Sequence, residues 1–251
     1  MNKALANPER EQPRRSEIAP RSWNVEQVVD EYEELEVAAH PFFVELRAKP
    51  LDLSAHWLLM ANLAAGISRD FVIWLAQTIA RVDDRRIASL LAKQLNDELG
   101  NGHFDQIHST LLQNFIVGLE PWRPAALGEE ALAPGRTLAR RGSLLFQTGE
   151  LYPALGALMV GEIFAKKMDH CVGIEIRRQN TLSAQVLTWL TIHETLEVDH
   201  ADDSRELAAL IPATEAAVVE IRAGASAQWQ VLWDFLDDVH VVFSRANEKG
   251  E

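Results

Sequence analysis

The sequence predicts an all-α bundle in a single domain, and three observations carry that reading. Apolar residues recur at three- and four-residue intervals along nearly every segment, and no sustained period-two alternation bounded by turn signals occurs. Capping residues precede the periodic runs, and Gly and Pro separate them. With 47% apolar residues, the 251-residue chain can bury one sizeable core. Seven or eight helices fit within residues 23–248. Residues 1–22 are charged and Pro-containing, lack the apolar stretch of a secretory signal, and read as a flexible arm.

Taken in order, "VEQVVDEYEELEVAAHPFFVELRA" reads as a first helix interrupted near Pro41. Ser54 can cap a segment through "AHWLLMANLA", and Gly66 followed by "SRD" signals a break and a restart. "DFVIWLAQTIARV" is amphipathic, and Asp83 or Asp84 can cap the next helix, "RRIASLLAKQLNDELGNGHFDQIHSTLLQNF". Gly100 and Gly102 lie inside that run, where each costs about 1 kcal/mol against Ala, so a kink is expected there. Residues 118–136 read as a Pro/Gly-rich connection. A long helix then covers "TGELYPALGALMVGEIFAKKMDHCVGIEIRR", with Asn180 or Thr181 capping the helix that follows over 182–210. A last amphipathic helix follows Pro212.

A formal net charge of -13 argues against nucleic acid or an anionic membrane as partner. The single cysteine, Cys171, excludes a disulfide framework and a cysteine-based zinc site. The longest apolar run, "WLLMANLAAGI", is too short to span a bilayer and contains Asn62. The expected setting is the reducing cytoplasm, with a small-molecule substrate and no nucleic-acid or membrane partner.

Chemistry concentrates in "TIHETLEVDH". On a helix, Glu197 projects about 40° from His193, and His200 about 20° to the other side, so all three share one stripe. Glu197 and His200 form an acid-x-x-His pair, and Asp105 and His108 repeat that spacing on an earlier segment. Such a pair is separated by about 4.5 Å along a helix axis, so carboxylate and imidazole can reach the same ions, as in carboxylate-bridged dinuclear bundles. His193 stands about 10.5 Å from His200 along the axis, a span that suits two ions better than one. Further acids are available. Glu162 sits in a largely apolar helical run, where an unpartnered carboxylate is costly. Asp70 opens an amphipathic helix, as a ligand or as a cap beside Arg69. Glu98 lies more than about 10 Å down the axis from Asp105 and can join only if the Gly100–Gly102 region bends. His103, His170 and His240 read as surface or capping histidines. Met159 and the tryptophans read as core, and Cys171 as a small buried residue.

With these residues in hand, the chain resembles the heme-oxygenase-like di-iron oxidases and oxygenases, which share their fold with thiaminase II and pyrroloquinoline-quinone synthase. The resemblance runs from about residue 55 to 210 and rests on "DELGNGHFDQIH", "LYPALGALMVGE" and the His193–Glu197–His200 triplet. It implies that Asp105 and His108 fill the family's acid-x-x-His, Glu162 its central-helix glutamate, and the triplet its closing ligands. Glu98 matches an additional carboxylate of the N-oxygenating branch. The family more often has Asp at 197 and Glu at 105, and its first-helix glutamate falls on Arg69 or Asp70 here. The implied cofactor is Fe(II), two ions, with O2 as co-substrate. The implied reaction is N-oxygenation, desaturation or oxidative C–C cleavage of a small amino-acid-derived or fatty-acid-derived metabolite, by a homodimer. The alternatives are a non-catalytic iron-binding or interaction bundle, or a cofactor-free enzyme of the thiaminase II or pyrroloquinoline-quinone-synthase kind. Cys171 is no convincing thiaminase nucleophile, and His40 as an axial heme ligand would leave the carboxylates unexplained.

Overall fold

In a computed structural model, residues 23–48, 53–68, 70–125, 127–147 and 149–248 are described. The side chains of 195–201, 247 and 248 lie outside the described residues. The arm over 1–22 also lies outside them. Ten α-helices and five 3₁₀ turns make up the described chain, with no strand among the described residues.

Helix α1 (Val25–Glu33) starts where the Asn24 side chain accepts a hydrogen bond from the Glu26 amide, at 2.8 Å. A 3₁₀ turn (Val37–Ala39) leads to α2 (Pro41–Ala48). Helix α3 (Ser54–Gly66) is apolar on nearly every side and buried on nearly every side. Its one amide, Asn62, is fully used: Nδ2 donates to the carbonyls of Leu58 and Ala131, at 2.9 and 3.0 Å, and Oδ1 accepts from the Gly135 amide at 2.9 Å. Helix α4 (Asp70–Ile79) follows at a 42° bend. No single helix among the described residues is long and apolar enough to cross a membrane.

Helix α5 (Arg85–Glu98) begins at Asp84, whose carboxylate accepts from the Arg86 amide and contacts its guanidinium, which lowers the Asp84 pKa to about 2. The run beyond it is not one helix. It breaks into 3₁₀ turns at Gly100–Gly102 and Phe104–Gln106 before α6 (His108–Leu119). The connection expected over 118–136 is also shorter in the fold. Two 3₁₀ turns occupy Glu120–Trp122 and Glu129–Leu132, and α7 (Ala133–Gln147) then begins inside the expected connection. Pro134 lies in the first turn of α7, where its missing N–H leaves no helical bond unmade, so a Pro/Gly-rich start disguises a helix.

Helix α8 (Leu151–Gln179) ends with Asn180 in the left-handed conformation, φ 47°. This residue therefore closes α8 rather than opening α9 (Thr188–Leu210). Helix α10 (Glu215–Glu248) completes the bundle. Helices α8 and α10 are about 44 and about 51 Å long and make the most extensive helix–helix contact. They cross backbone to backbone: Gly156 faces Ile221, and Gly224 faces Pro153. Their lengths tie together two hydrophobic clusters. One is built by α2, α3, α6 and the later halves of α8 and α10, the other by α1, α4, α5 and their earlier halves.

A methyl at Gly224 would overlap the Pro153 carbonyl oxygen. Gly224→Ala is therefore expected to cost about 2 kcal/mol or more through forced separation of the two helices. Gly161→Ala, on α8, would meet only the Gln228 side chain at 3.6 Å or beyond, and should be neutral or slightly stabilising. Denaturant titrations of both variants measure the contrast, and equal stabilities would remove the crossing as the determinant.

Candidate metal centre

Where the two clusters meet, the chain leaves a cavity of about 130 Å³. Leu63, Leu112, Phe164, Met168, Trp189 and Leu232 reach it from one cluster, and Trp74, Phe146, Ala157 and Leu158 from the other. Its polar lining includes Glu98, His108, Glu162, Asp169 and His193, from α5, α6, α8 and α9.

The approach of Glu98 to His108 is set by local backbone chemistry. Gly100, Asn101 and Gly102 all have positive φ, at 75°, 53° and 84°. Glycine enters this region without a Cβ penalty, and Asn tolerates it best among residues with side chains. Asn101 Nδ2 donates to Asp97 Oδ1 at 3.0 Å, which pins the turn to the end of α5. On a continuous helix Glu98 and His108 would stand about 15 Å apart along the axis. Across the turn, His108 Nδ1 lies 3.0 Å from Glu98 Oε2.

His193 is oriented by its own helix. Its Nδ1 lies 2.9 Å from the Trp189 carbonyl oxygen, which can only accept, so the proton resides on Nδ1 and Nε2 presents its lone pair. The His193 ring stacks against Trp189 and His108, with centroids at 4.2 and 4.5 Å, and Trp189 continues onto Phe115. The two imidazoles are thus held by packing as well as by polar contacts.

Glu162 and Asp169 lie two turns apart on α8 and are both buried. Burial, then the neighbouring charges of Glu194, Glu162 and Glu98, raise the Asp169 carboxyl well above the usual carboxylate range. Its Oδ1 has no hydrogen-bond partner among the described residues. Glu194 is ion-paired with Arg177 over Gly173. No Lys or Arg lines the cavity among the described residues. Three acids and two imidazoles without a cation form a donor set suited to a divalent ion such as Fe(II). Among the described residues, no group of three or more His, Cys, Asp or Glu side chains is placed to hold a metal ion.

The other expected residues divide. Asp105 is exposed on the 3₁₀ turn Phe104–Gln106 and does not line the cavity. The reading of Asp105 and His108 as a helical i,i+3 pair is corrected: the helix starts only at His108, and the acid beside that imidazole is Glu98. Asp70 opens α4 half-buried and does not line the cavity, although Phe71 and Trp74 do. Arg69 and the Glu197 and His200 side chains lie outside the described residues. Asp169 is absent from the sequence-based set, yet its seven-residue offset from Glu162 along an apolar helix is a visible signal. Cys171 is buried, its thiol pushed up by that burial, and it is absent from the lining. His40 also stands outside the cavity, with Nδ1 accepting from the Phe42 amide at 3.1 Å and Nε2 3.1 Å from Asp237.

The sequence pattern described as iron-containing redox enzyme matches residues 60–233, a span that contains every one of the five polar residues above. No curated protein sequence matches the chain. Among solved structures, a CADD-like protein of unknown function from Nostoc punctiforme PCC 73102 is similar with a TM-score of 0.64 at 14% identity, over 89% of this chain and 97% of that one. A TenA homolog from Pseudomonas syringae pv. tomato DC3000 is similar with a TM-score of 0.63 at 14% identity, over 86% and 90%. At such identity the likeness is one of fold, the heme-oxygenase-like all-α bundle.

Two outcomes follow from the geometry. Because the Asp169 pKa is raised in the fold, the unfolded chain releases this proton first as pH climbs past 3.8, and the metal-free fold loses that contribution from there up to the raised value. Asp169→Asn removes the titration and is expected to make the metal-free protein more stable near neutral pH, with a flatter pH dependence in denaturant titrations. A less stable variant would assign the ionised carboxylate a structural bond instead. Gly100→Ala combines an unfavourable positive φ with a Cβ 2.7 Å from the Gln106 and Ile107 backbone. It should destabilise by about 1–3 kcal/mol and separate Glu98 from His108. The His108 imidazole resonances in NMR report the separation, and unchanged shifts would count against it.

Proposed function

The chain belongs to the iron-containing redox enzyme family, and from that premise we propose that it is a non-heme di-iron oxidase or oxygenase. Its substrate is a small, largely apolar metabolite, amino-acid-derived or fatty-acid-derived, oxidised by N-oxygenation, desaturation or oxidative C–C cleavage. The observation that carries this reading is the enclosure of two histidines and three acids around one apolar-walled cavity. An interaction bundle would present the same groups to solvent. Here His108, His193, Glu162 and Asp169 are all buried.

The residues that would hold the metal are Glu98, His108, Glu162, Asp169 and His193, joined by Glu197 and His200 further along α9. Bound Fe(II) would supply the electrons and open coordination positions for O2. The protein's own share can be stated atom by atom. The Trp189 carbonyl keeps the His193 proton on Nδ1, which holds Nε2 as a donor throughout. Glu98 Oε2 stands 3.0 Å from His108 Nδ1, so its carboxylate and the imidazole face the same space. Burial and the neighbouring acids favour the protonated form of the Asp169 carboxyl, and a bound cation would favour its ionised form. Phe71, Trp74, Phe146, Phe164 and Met168 exclude water from the space beside these groups, which strengthens each electrostatic interaction within it.

The test is iron content after anaerobic Fe(II) loading, with O2 consumption across a panel of amino acids and fatty acids. The native protein should take up iron and consume O2 with at least one substrate. His108→Ala should lose at least about tenfold in iron affinity while keeping its helical circular-dichroism spectrum. Failure to bind Fe, Mn or Zn under any loading condition would sink the proposal.

A further inference from the structure

Helix α8 carries three glycines, and two of them have plain packing reasons. A methyl at Gly156 would overlap the Ile221 carbonyl oxygen, and one at Gly173 would overlap the Glu194 carboxylate. Gly161 has no such neighbour. A methyl there would meet only Gln228, with Nε2 at 3.6 Å and Cγ at 3.9 Å, which is ordinary contact. Glycine in a helix interior is destabilising against alanine, so its presence at 161 calls for a reason other than packing. The cavity supplies one. Gly161 lines it, and so do Ala157 and Ala165, about one turn before and one turn after on the same face of α8. Glu162, an acid of the metal centre, follows directly and lines it too. A side chain at 161 would therefore take its room from the cavity beside that acid.

We propose that Gly161 is a specificity-determining residue, whose missing side chain leaves the space for a compact apolar body of the ligand beside the metal centre. This rests on the cavity being the substrate site of the proposed oxidation, and it narrows the substrate class. The cavity of about 130 Å³ is close to the roughly 150 Å³ that accommodates benzene. One wall is held in place and does not readily retreat. Trp74 is buried, stacks on Phe146 with centroids 5.3 Å apart, and donates from Nε1 to Ser143 Oγ at 3.3 Å. The far edge of its ring lies against Gly142, where a methyl would overlap it. The enclosed body is thus a single ring or a short branched chain, and an extended fatty-acyl chain exceeds the space. Of the two classes named above, the amino-acid-derived substrate fits.

The test uses the full chain, metal-free for binding and loaded with Fe(II) for O2 consumption, with benzene, toluene and octanoate as probes. In NMR or calorimetric titrations of the native protein, toluene should bind about fourfold tighter than benzene, the gain from one more buried methyl. Octanoate should fail to displace it. In Gly161→Ala, toluene should weaken by about tenfold and benzene by less, because the new methyl takes the room that the methyl of toluene used. The melting temperature of that variant should hold or rise. Gly161→Leu should fill the cavity, keep the helical circular-dichroism spectrum and abolish binding of both hydrocarbons. Unchanged toluene affinity in Gly161→Ala would overturn the assignment, as would displacement of toluene by octanoate. A lower melting temperature in Gly161→Ala would mean that position 161 serves packing, and would overturn it as well. The titrations need no iron, so a size limit found in them stands even where the loaded protein consumes no O2. Conversely, O2 consumption without any size limit removes this proposal alone.

Discussion

The approach of α8 to α10 governs this fold. Two helices that touch through Gly156 and Gly224 pack closer than side chains would allow, and they are the two longest among the described residues. That contact places α8 at the centre of the bundle, with the other helices laid around it in two groups. Helix α8 meets solvent only along a stripe of its later half, at His170, Ile174, Arg177 and Arg178, and Glu162 and Asp169 lie on its buried side. The position of the acids is thus a consequence of packing. Their presence there cannot be: leucine or methionine would fill the same space without the desolvation cost. The crossing therefore separates what the fold requires from what the site requires.

The cavity lies at the seam between the two hydrophobic clusters, where neither closes on itself. The seam also gathers side chains from helices far apart in sequence. Glu98 comes from the end of one helix, His108 from the start of the next, and His193 from a later one. Each is fixed by a local interaction that needs no ion: the pinned Gly–Asn–Gly turn, the Trp189 carbonyl and the stacked rings. What remains open is the balance of charge. The Asp169 carboxyl, raised by burial and by three neighbouring acids, shows where that imbalance is concentrated.

Much of this is legible in the sequence, and the exceptions have physical reasons. Caps at Asp84, breaks at Gly66 and before Pro212, and the long apolar helix through Glu162 are local signals, and local signals survive in a linear reading. His193 stands out through the helical spacing of its triplet, whereas the spacing that singles out His108 pairs it with Asp105 on a helix that does not form there. Helix α7 escapes such a reading because Pro134 and Gly135 resemble a linker, whereas Asn62 of α3 holds the Gly135 amide and makes the start of that helix a tertiary contact. The three-residue spacing favours Asp105 over Glu98 only on the assumption of a continuous helix.

The Glu98–His108 approach carries the broader lesson about where such a site is encoded. Their ten-residue separation advertises no pairing, and the information lies between them, in "GNG". Three successive positive φ angles form an improbable backbone for most residues, and glycine at two of them with asparagine between is a composition that tolerates it. The same composition inside a helix would be a liability of about 1 kcal/mol per glycine. A helical run that carries two such glycines one residue apart, with acids before them and an acid and histidines after them, is therefore better read as two helices and a turn. A turn at that point makes Glu98 and His108 neighbours by its own geometry, and Asp105, inside the connection, does not line the cavity.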